Sequence, residues 1–298
     1  MILKRVLVGS FLAGGVFVAI IFMGVHSAWA DGSGMGSETG GDVNPANQLV
    51  DFGPASRAKA ALSSAWYAAA VRGDSATADR LLRDAGIATH GKTSKVGVSP
   101  DSVPPDGGGS FPASRVLSIT HASQNTGYFC GPATGYMIIR YLHGTGFTSR
   151  YDGSQPGQAG LANANHMRTD INKSTEWATG YFVRGANRWN GDSYYVQVPK
   201  PSSLASVITY SVGAAGKPMA ADTVEFAGGV HYNNHPTSKT IGHWIMGYGY
   251  ASSGSTSYFA DPVGGSSAVP WSGPVAKTFS YSSSSFTSRF LQSNGVAY

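Results

Sequence analysis

The spacing of apolar and polar residues divides the chain into stretches of different character. At the start, an apolar run from Val6 to about Val25 follows Lys4 and Arg5, and Ala28-Trp29-Ala30 comes after it. A basic start, an apolar stretch and a small-x-small site are typical of a secretory signal peptide. We therefore expect residues 1–30 to be removed on export. An uncleaved membrane anchor is the alternative, because the run nearly has the length that spans a bilayer.

A helical pattern follows further along the chain. Apolar residues recur at helical spacing from Ala58 to Ala69, and Asp74 or Ser75 could cap a second helix. The pattern predicts a helical hairpin over residues 55–87. Such a hairpin could be a regulatory pro-segment that covers a cleft, or it could pack permanently against the core, and the sequence leaves both open.

Gly-, Ser-, Asp- and Pro-rich stretches on both sides of the hairpin predict linkers. The expected organisation is a signal peptide (1–30), a flexible linker (31–54), the helical hairpin (55–87), a second linker (88–112) and a continuous globular domain (113–298).

Within the last domain, one helix begins at the only cysteine of the chain, Cys130. Gly131 and Pro132 follow it, and proline is favoured in the first turn of a helix. An apolar face from Ala133 to Leu142 comes next, and Gly144 is a stop signal. The pattern therefore predicts a buried helix that starts at Cys130.

Two strands are predicted near the other end of the domain. Residues 241–250 alternate so that His243 lies on one face and Trp244 on the other, and a second strand-like run, 256–260, leads to Asp261. If the two runs pair as a hairpin, His243 and Asp261 lie close together near its open end.

Composition and charge exclude some classes of function. The formal net charge is +5 and falls to +3 without Lys4 and Arg5, and no basic run or stripe occurs, so nucleic-acid binding is not expected. Association with an anionic cell wall is possible but is not predicted by charge alone. A single cysteine also means that no internal disulfide supports the fold.

The candidate chemistry centres on this cysteine. Helix N-termini favour negative charge and lower thiol pKa values, which makes Cys130 a candidate nucleophile. The amide of Gln124 and the main-chain N–H of Cys130 could hold an oxyanion. His243 is the candidate base, and Asp261 could orient its ring. The simpler alternatives are a buried core cysteine, a hydrogen-bonded core histidine and a turn aspartate.

Metal and cofactor sites are not predicted. The sequence has no Cys-x-x-Cys and no His-Glu-x-x-His, and His231 and His235 lie in what looks like an ordinary loop. Gly107-Gly108-Gly109 does not precede a helix with a lysine, so it is not a phosphate-binding loop. We expect no cofactor and no metal ion.

Four separated blocks carry a family resemblance, and they occur in that family's order. They are Gln124 with Cys130-Gly131-Pro132-Ala133, Gly242-His243-Trp244-Ile245, Gly247-Tyr248-Gly249 and Asp261-Pro262. Over roughly residues 118–264 the chain resembles the C39-like branch of the papain-like cysteine peptidases.

The resemblance implies an α+β papain-like fold, with an N-terminal helix packed on an antiparallel sheet. It also implies that Cys130 is the nucleophile, His243 the base, Asp261 the orienting residue and Gln124 the oxyanion donor. Two departures matter: Phe129 replaces the acidic residue that precedes the cysteine in the founding peptidases, and no transporter segment occurs in this sequence. Cleavage of double-glycine leaders is therefore not implied.

From these observations we expect an exported cysteine peptidase, or a related thiol amidohydrolase, that acts on a peptide or protein substrate. A non-catalytic papain-fold binding module at the cell surface and a cell-wall peptide hydrolase are the alternatives.

Overall fold

Eight α-helices and seven strands occur in residues 52–87 and 111–298, the part of the chain that the computed structural model describes. The helices are α1 (Pro54–Val71), α2 (Ser75–Asp84), α3 (Cys130–His143), α4 (Gln158–Ala162), α5 (Thr169–Asn172), α6 (Tyr181–Asn190), α7 (Leu204–Ile208) and α8 (Ser283–Phe290). The strands are β1 (Arg115–Val116), β2 (Gln197–Pro199), β3 (Met219–Glu225), β4 (Ile241–Ala251), β5 (Thr256–Ala260), β6 (Thr278–Ser282) and β7 (Gly295–Ala297).

The strands form one antiparallel sheet in the order β2-β7-β3-β4-β5-β6. The long strand β4 organises it, because β3 pairs with its first half, β1 extends the same side at Gly249 and Tyr250, and β5 pairs on the other side. The predicted hairpin of residues 241–250 and 256–260 is thus confirmed, with a short 3₁₀ turn at Ser252–Gly254.

Each face of the sheet carries its own apolar core, as the alternation of side chains along a strand requires. On one face, Trp244 and Met246 of β4 pack with α3 and α6. On the other face, Ile245 packs with α1, α7 and α8. The structure therefore has the predicted α+β arrangement, in which α3 lies on an antiparallel sheet.

Helix α3 begins and ends where the sequence predicted. Gly144 ends it with φ 85°, a conformation that glycine adopts without strain. At its start, a β-carbon on Gly131 would lie 2.1 Å from Oγ1 of Thr175. Glycine at this position therefore lets the segment around Thr175 approach the helix end that carries Cys130.

The predicted helical hairpin is formed by α1 and α2, and Asp74 caps α2 by accepting from the Thr77 N–H at 3.1 Å. Trp66 of α1 has no exposed surface and lies in the core on the face of the sheet opposite α3. The hydroxyl groups of Ser63 and Tyr298 lie 2.8 Å apart and connect α1 to the last residue of the chain.

A buried lysine makes the second connection between α1 and the domain. The Lys59 ammonium donates to the main-chain oxygen of Tyr194 at 2.6 Å and lies over its ring. Burial, together with the charge of Lys217, lowers the pKa of Lys59 to about 7. Apolar packing and hydrogen bonds therefore both attach the helical hairpin to the rest of the domain.

Residues 1–51 and 88–110 lie outside the described part, and with them the predicted signal peptide and most of both linkers. Within residues 52–87 and 111–298, no helix combines the length and the apolar character that a membrane crossing requires.

We expect Trp66→Ala to destabilise the whole domain by about 3–5 kcal/mol, because it leaves a cavity in a core that α1 shares with the sheet. Val71→Ala is the matched control, since Val71 lies on the same helix with 56% of its surface exposed. Urea unfolding measures both free energies. An unchanged midpoint in Trp66→Ala would show that the hairpin is not part of this core.

Candidate active site

The site is built around the carboxylate of Asp261, which follows β5 and has no exposed surface. Both of its oxygens accept hydrogen bonds from neighbouring groups. Oδ1 accepts from His243 Nε2 (2.8 Å) and the Val263 N–H (2.9 Å), and Oδ2 accepts from His235 Nε2 (2.9 Å) and Asn233 Nδ2 (2.8 Å). These bonds compensate for the cost of burying a charged carboxylate.

The electrostatic balance favours the ionised form of Asp261. Burial alone would raise its pKa, but the charges of His243 and His235 and their hydrogen bonds outweigh burial and hold the pKa well below its usual range. The site therefore contains a buried anion at every pH near neutral.

This anion sets the tautomer of His243. An ionised carboxylate can only accept hydrogen bonds, so Nε2 of His243 carries the proton it donates. In the neutral ring the other nitrogen, Nδ1, then has a free lone pair. Nδ1 is buried and has no hydrogen-bond partner among the described residues. The neutral tautomer that Asp261 selects is the one that a general base at Nδ1 requires.

Cys130 belongs to the apolar core that α3 shares with Trp244 of β4, the residue after His243. The main-chain N–H groups of Trp244 and Gly131 lower the pKa of its thiol. Thr134, one turn further along α3, donates to the Trp244 oxygen at 2.9 Å. These contacts hold the start of α3 on the part of β4 that carries His243.

The thiol does not have the lowered pKa that its helix position predicted. Cys130 has no exposed surface, and burial raises the pKa of its thiol far above the ordinary range. The charges of Asp222 and Asp261 raise it further, and the two main-chain N–H groups only partly oppose them. The prediction was wrong on this point because desolvation of the thiolate outweighs the favourable helix end.

Gln124 is connected to the same region through the backbone. Its N–H donates to the oxygen of Pro262 at 2.8 Å, immediately after Asp261 in the chain. Its side-chain Nε2 donates to Thr126 O at 2.8 Å, while Oε1 is buried without a partner among the described residues. The structure thus joins His243 directly to Asp261 and connects Gln124 to the residue that follows Asp261, whereas no contact described for residues 52–87 and 111–298 joins Cys130 or Gln124 to the His243 ring.

Sequence reasoning missed two residues of this site, His235 and Glu225. His235 had been interpreted as an ordinary loop residue, but its Nδ1 lies 2.6 Å from Glu225 Oε2 and its Nε2 lies 2.9 Å from Asp261 Oδ2. Burial would lower the pKa of His235, but the two carboxylates outweigh burial and raise it to about 9. Nothing in the local sequence pattern indicated these contacts.

The same groups are the candidate metal ligands of the described residues. His235, His243 and Asp261 offer ligand atoms that all lie within 4.8 Å of one another. Those atoms are already hydrogen-bonded to each other, so a metal ion would have to displace both protons. The arrangement is better described as a chain of hydrogen bonds.

Residues 116–288, more than half of the chain, match the model of the Peptidase_C39 like family. The match runs from β1 into α8 and includes all four sequence-predicted residues. No curated protein and no solved structure matches the chain.

We expect Cys130 to react slowly with iodoacetamide in the folded protein at pH 8.5, at least about tenfold more slowly than in urea. Burial both blocks the reagent and lowers the thiolate fraction. The unfolded chain is its own control, because it contains no second cysteine. Alkylation that is as fast in the folded protein as in urea would show an activated thiol instead.

Proposed function

The chain belongs to the Peptidase_C39 like family, and we propose that it is a cysteine peptidase or a related thiol amidohydrolase. In this proposal Cys130 is the nucleophile, His243 the base, Asp261 the residue that orients it and Gln124 the donor to the oxyanion. The substrate is a peptide or protein.

One observation carries the proposal. Asp261 holds Nε2 of His243 at 2.8 Å, which leaves Nδ1 of a neutral ring with a free lone pair, and the helix that carries the thiol packs on the strand of His243. His166 has the same pattern of ring nitrogens, because its Nε2 lies 3.2 Å from Asp152 Oδ1 and its Nδ1 has no partner among the described residues. The position of His243 on β4, next to the Trp244 that packs with α3, therefore distinguishes it from His166.

The proposed reaction begins from the neutral thiol. Nδ1 of His243 takes the thiol proton as sulfur attacks the amide carbonyl, and a C–S bond forms as the carbonyl becomes a tetrahedral oxyanion. The Gln124 amide and the Cys130 main-chain N–H stabilise that oxyanion. The imidazolium then protonates the leaving amine, and the C–N bond breaks.

Water completes the cycle. His243 removes a proton from water as the oxygen attacks the thioester, and the collapse of this second intermediate releases the acid and restores the thiol. Proton removal during the attack suits this site, because burial and the charges of Asp222 and Asp261 disfavour a resting thiolate. Asp261 stabilises the imidazolium that forms in both steps.

A second candidate function is a non-catalytic binding module at the cell surface. The observation that favours it is the complete burial of Cys130, His243 and Asp261, which keeps a substrate carbonyl from the sulfur until covering atoms move. A peptide-hydrolysis assay separates the enzyme from the binding module, because a binding module hydrolyses no peptide.

We also propose that the protein acts outside the cytoplasm, where cell-wall peptides are one possible class of substrate. The support is the sequence of residues 1–30, with its basic start, apolar run and Ala28-Trp29-Ala30 site.

We expect Cys130→Ala to lower hydrolysis of a peptide library by about a thousandfold or more, because it removes the atom that forms the acyl-enzyme. His143→Gln is a matched control on the other end of α3, where the His143 ring contacts Asn190, and its activity should stay at the wild-type level. Mass spectrometry of the products measures both. Hydrolysis by the alanine variant, or none by the wild-type protein, contradicts the proposal.

For the export proposal, we expect protein recovered from the culture medium to begin at Asp31. Signal peptidase cleaves after small-x-small sites, and Ala28-Trp29-Ala30 is such a site. N-terminal sequencing gives the result directly, and Ala30→Arg should block processing. Protein that keeps residues 1–30 and stays with the membrane fraction would indicate the anchor instead.

A further inference from the structure

His235 differs from the other histidines of the described chain in having carboxylates on both ring nitrogens. Its Nδ1 lies 2.6 Å from Oε2 of Glu225, and its Nε2 lies 2.9 Å from Oδ2 of Asp261. An ionised carboxylate only accepts hydrogen bonds, so between two ionised carboxylates both ring nitrogens carry protons, and the two carboxylates raise the pKa of His235 to about 9. The contacts therefore fit an imidazolium between Glu225 and Asp261.

Further contacts hold Glu225 and the His235 ring in place. The Tyr232 N–H donates to the remaining oxygen of Glu225 at 2.8 Å, and the ring of Trp271 packs edge-on against the His235 ring. Side chains of Glu225, His235 and Asp261 have no exposed surface. Water therefore does not compete for these hydrogen bonds.

We propose that His235, held by Glu225, is a positioning residue that keeps Asp261 oriented towards His243 and balances its charge. This inference rests on the proposed function as far as catalysis is concerned. His235 does not touch the sulfur or the substrate in this role and acts only through Asp261.

The charge balance explains how such a residue would serve the reaction. While His243 is neutral, the network contains two carboxylates, Glu225 and Asp261, and one cation, His235. The Glu225–His235 pair adds no net charge, so the site stays one positive charge short because of Asp261. When His243 takes the thiol proton, that charge is supplied and the network becomes neutral.

Titratable groups from every element packed around His235 belong to this balance. They are Glu225 on β3, His231 and Tyr232 in the loop before β4, His243 on β4, Asp261 after β5, and His121, whose Nε2 donates to the Asp261 main-chain oxygen. Tyr232 stays uncharged, because burial raises its pKa. His143 lies outside this network at the end of α3, where its Nε2 lies 3.0 Å from Asn190 Oδ1, and it serves as the control.

The first experiment needs no substrate. Nitrogen-15 NMR of the histidine rings in the full-length protein should show both His235 nitrogens protonated at pH 7, with deprotonation only near pH 9. The His243 Nε2–H, held by Asp261, should give a slowly exchanging downfield proton that is lost in His235→Leu and kept in His143→Gln. A neutral His235 ring at pH 7, or an unchanged His243 proton in His235→Leu, overturns the inference.

The second experiment uses the pH dependence of kcat/KM. His235→Gln removes a positive charge, so proton uptake at the site becomes easier and the acid limb should move up by about one pH unit. Glu225→Gln removes a negative charge, so the same limb should move down by a similar amount. His143→Gln should leave the acid limb in place.

Shifts of the acid limb in opposite directions in His235→Gln and Glu225→Gln distinguish positioning by charge from a purely structural role. A structural role lowers kcat/KM in both variants without moving the limbs, or moves them in the same direction, and either result overturns the inference. If the wild-type protein hydrolyses no peptide, the proposed function fails, and the NMR experiment alone decides whether His235 is a fixed cation that orients Asp261.

Discussion

The buried carboxylate of Asp261 needs hydrogen-bond partners, and this requirement determines which side chains surround the end of β5. An ionised carboxyl group without exposed surface is stable only when charges and hydrogen bonds replace its water. Asp261 draws those partners from β4 (His243), from the loop before β4 (Asn233 and His235) and from its own turn (Val263). The candidate base and the loop that supports it are therefore held by the same group.

The two-sided sheet explains why α3, the helix that begins at the thiol, lies on the strand of His243. The alternation along β4 sends Trp244 into the core under α3 and Ile245 into the opposite core. Helix α3 packs on the first of these faces, and Gly131 allows the segment around Thr175 to approach its start. The opposite face is covered by the helical hairpin, α7 and α8. The core on that face is thus shared by the hairpin and by the sheet that holds the candidate base.

Burial gives this site its electrostatic character. The main-chain N–H groups of Trp244 on β4 and Gly131 on α3 lower the pKa of the Cys130 thiol, yet desolvation and the carboxylates of Asp222 and Asp261 dominate and raise it. The charged form of His235 is favoured instead, because the two carboxylates in direct contact raise its pKa by more than burial lowers it. Direct hydrogen-bonded charges therefore decide the protonation state of the histidine, whereas desolvation decides that of the thiol.

The sequence alone determined the features that depend on a few adjacent residues. Proline and glycine signals placed α3 between Cys130 and Gly144, and alternation placed His243 and Asp261 at the open end of one hairpin, because caps, turns and periodicity act over short distances. Tertiary structure alone decided the rest. His235 lies 10 residues from Glu225 and 26 from Asp261, and the sulfur is desolvated by elements distant in the chain. Contacts and burial of this kind arise from how the elements pack, and no local pattern encodes them.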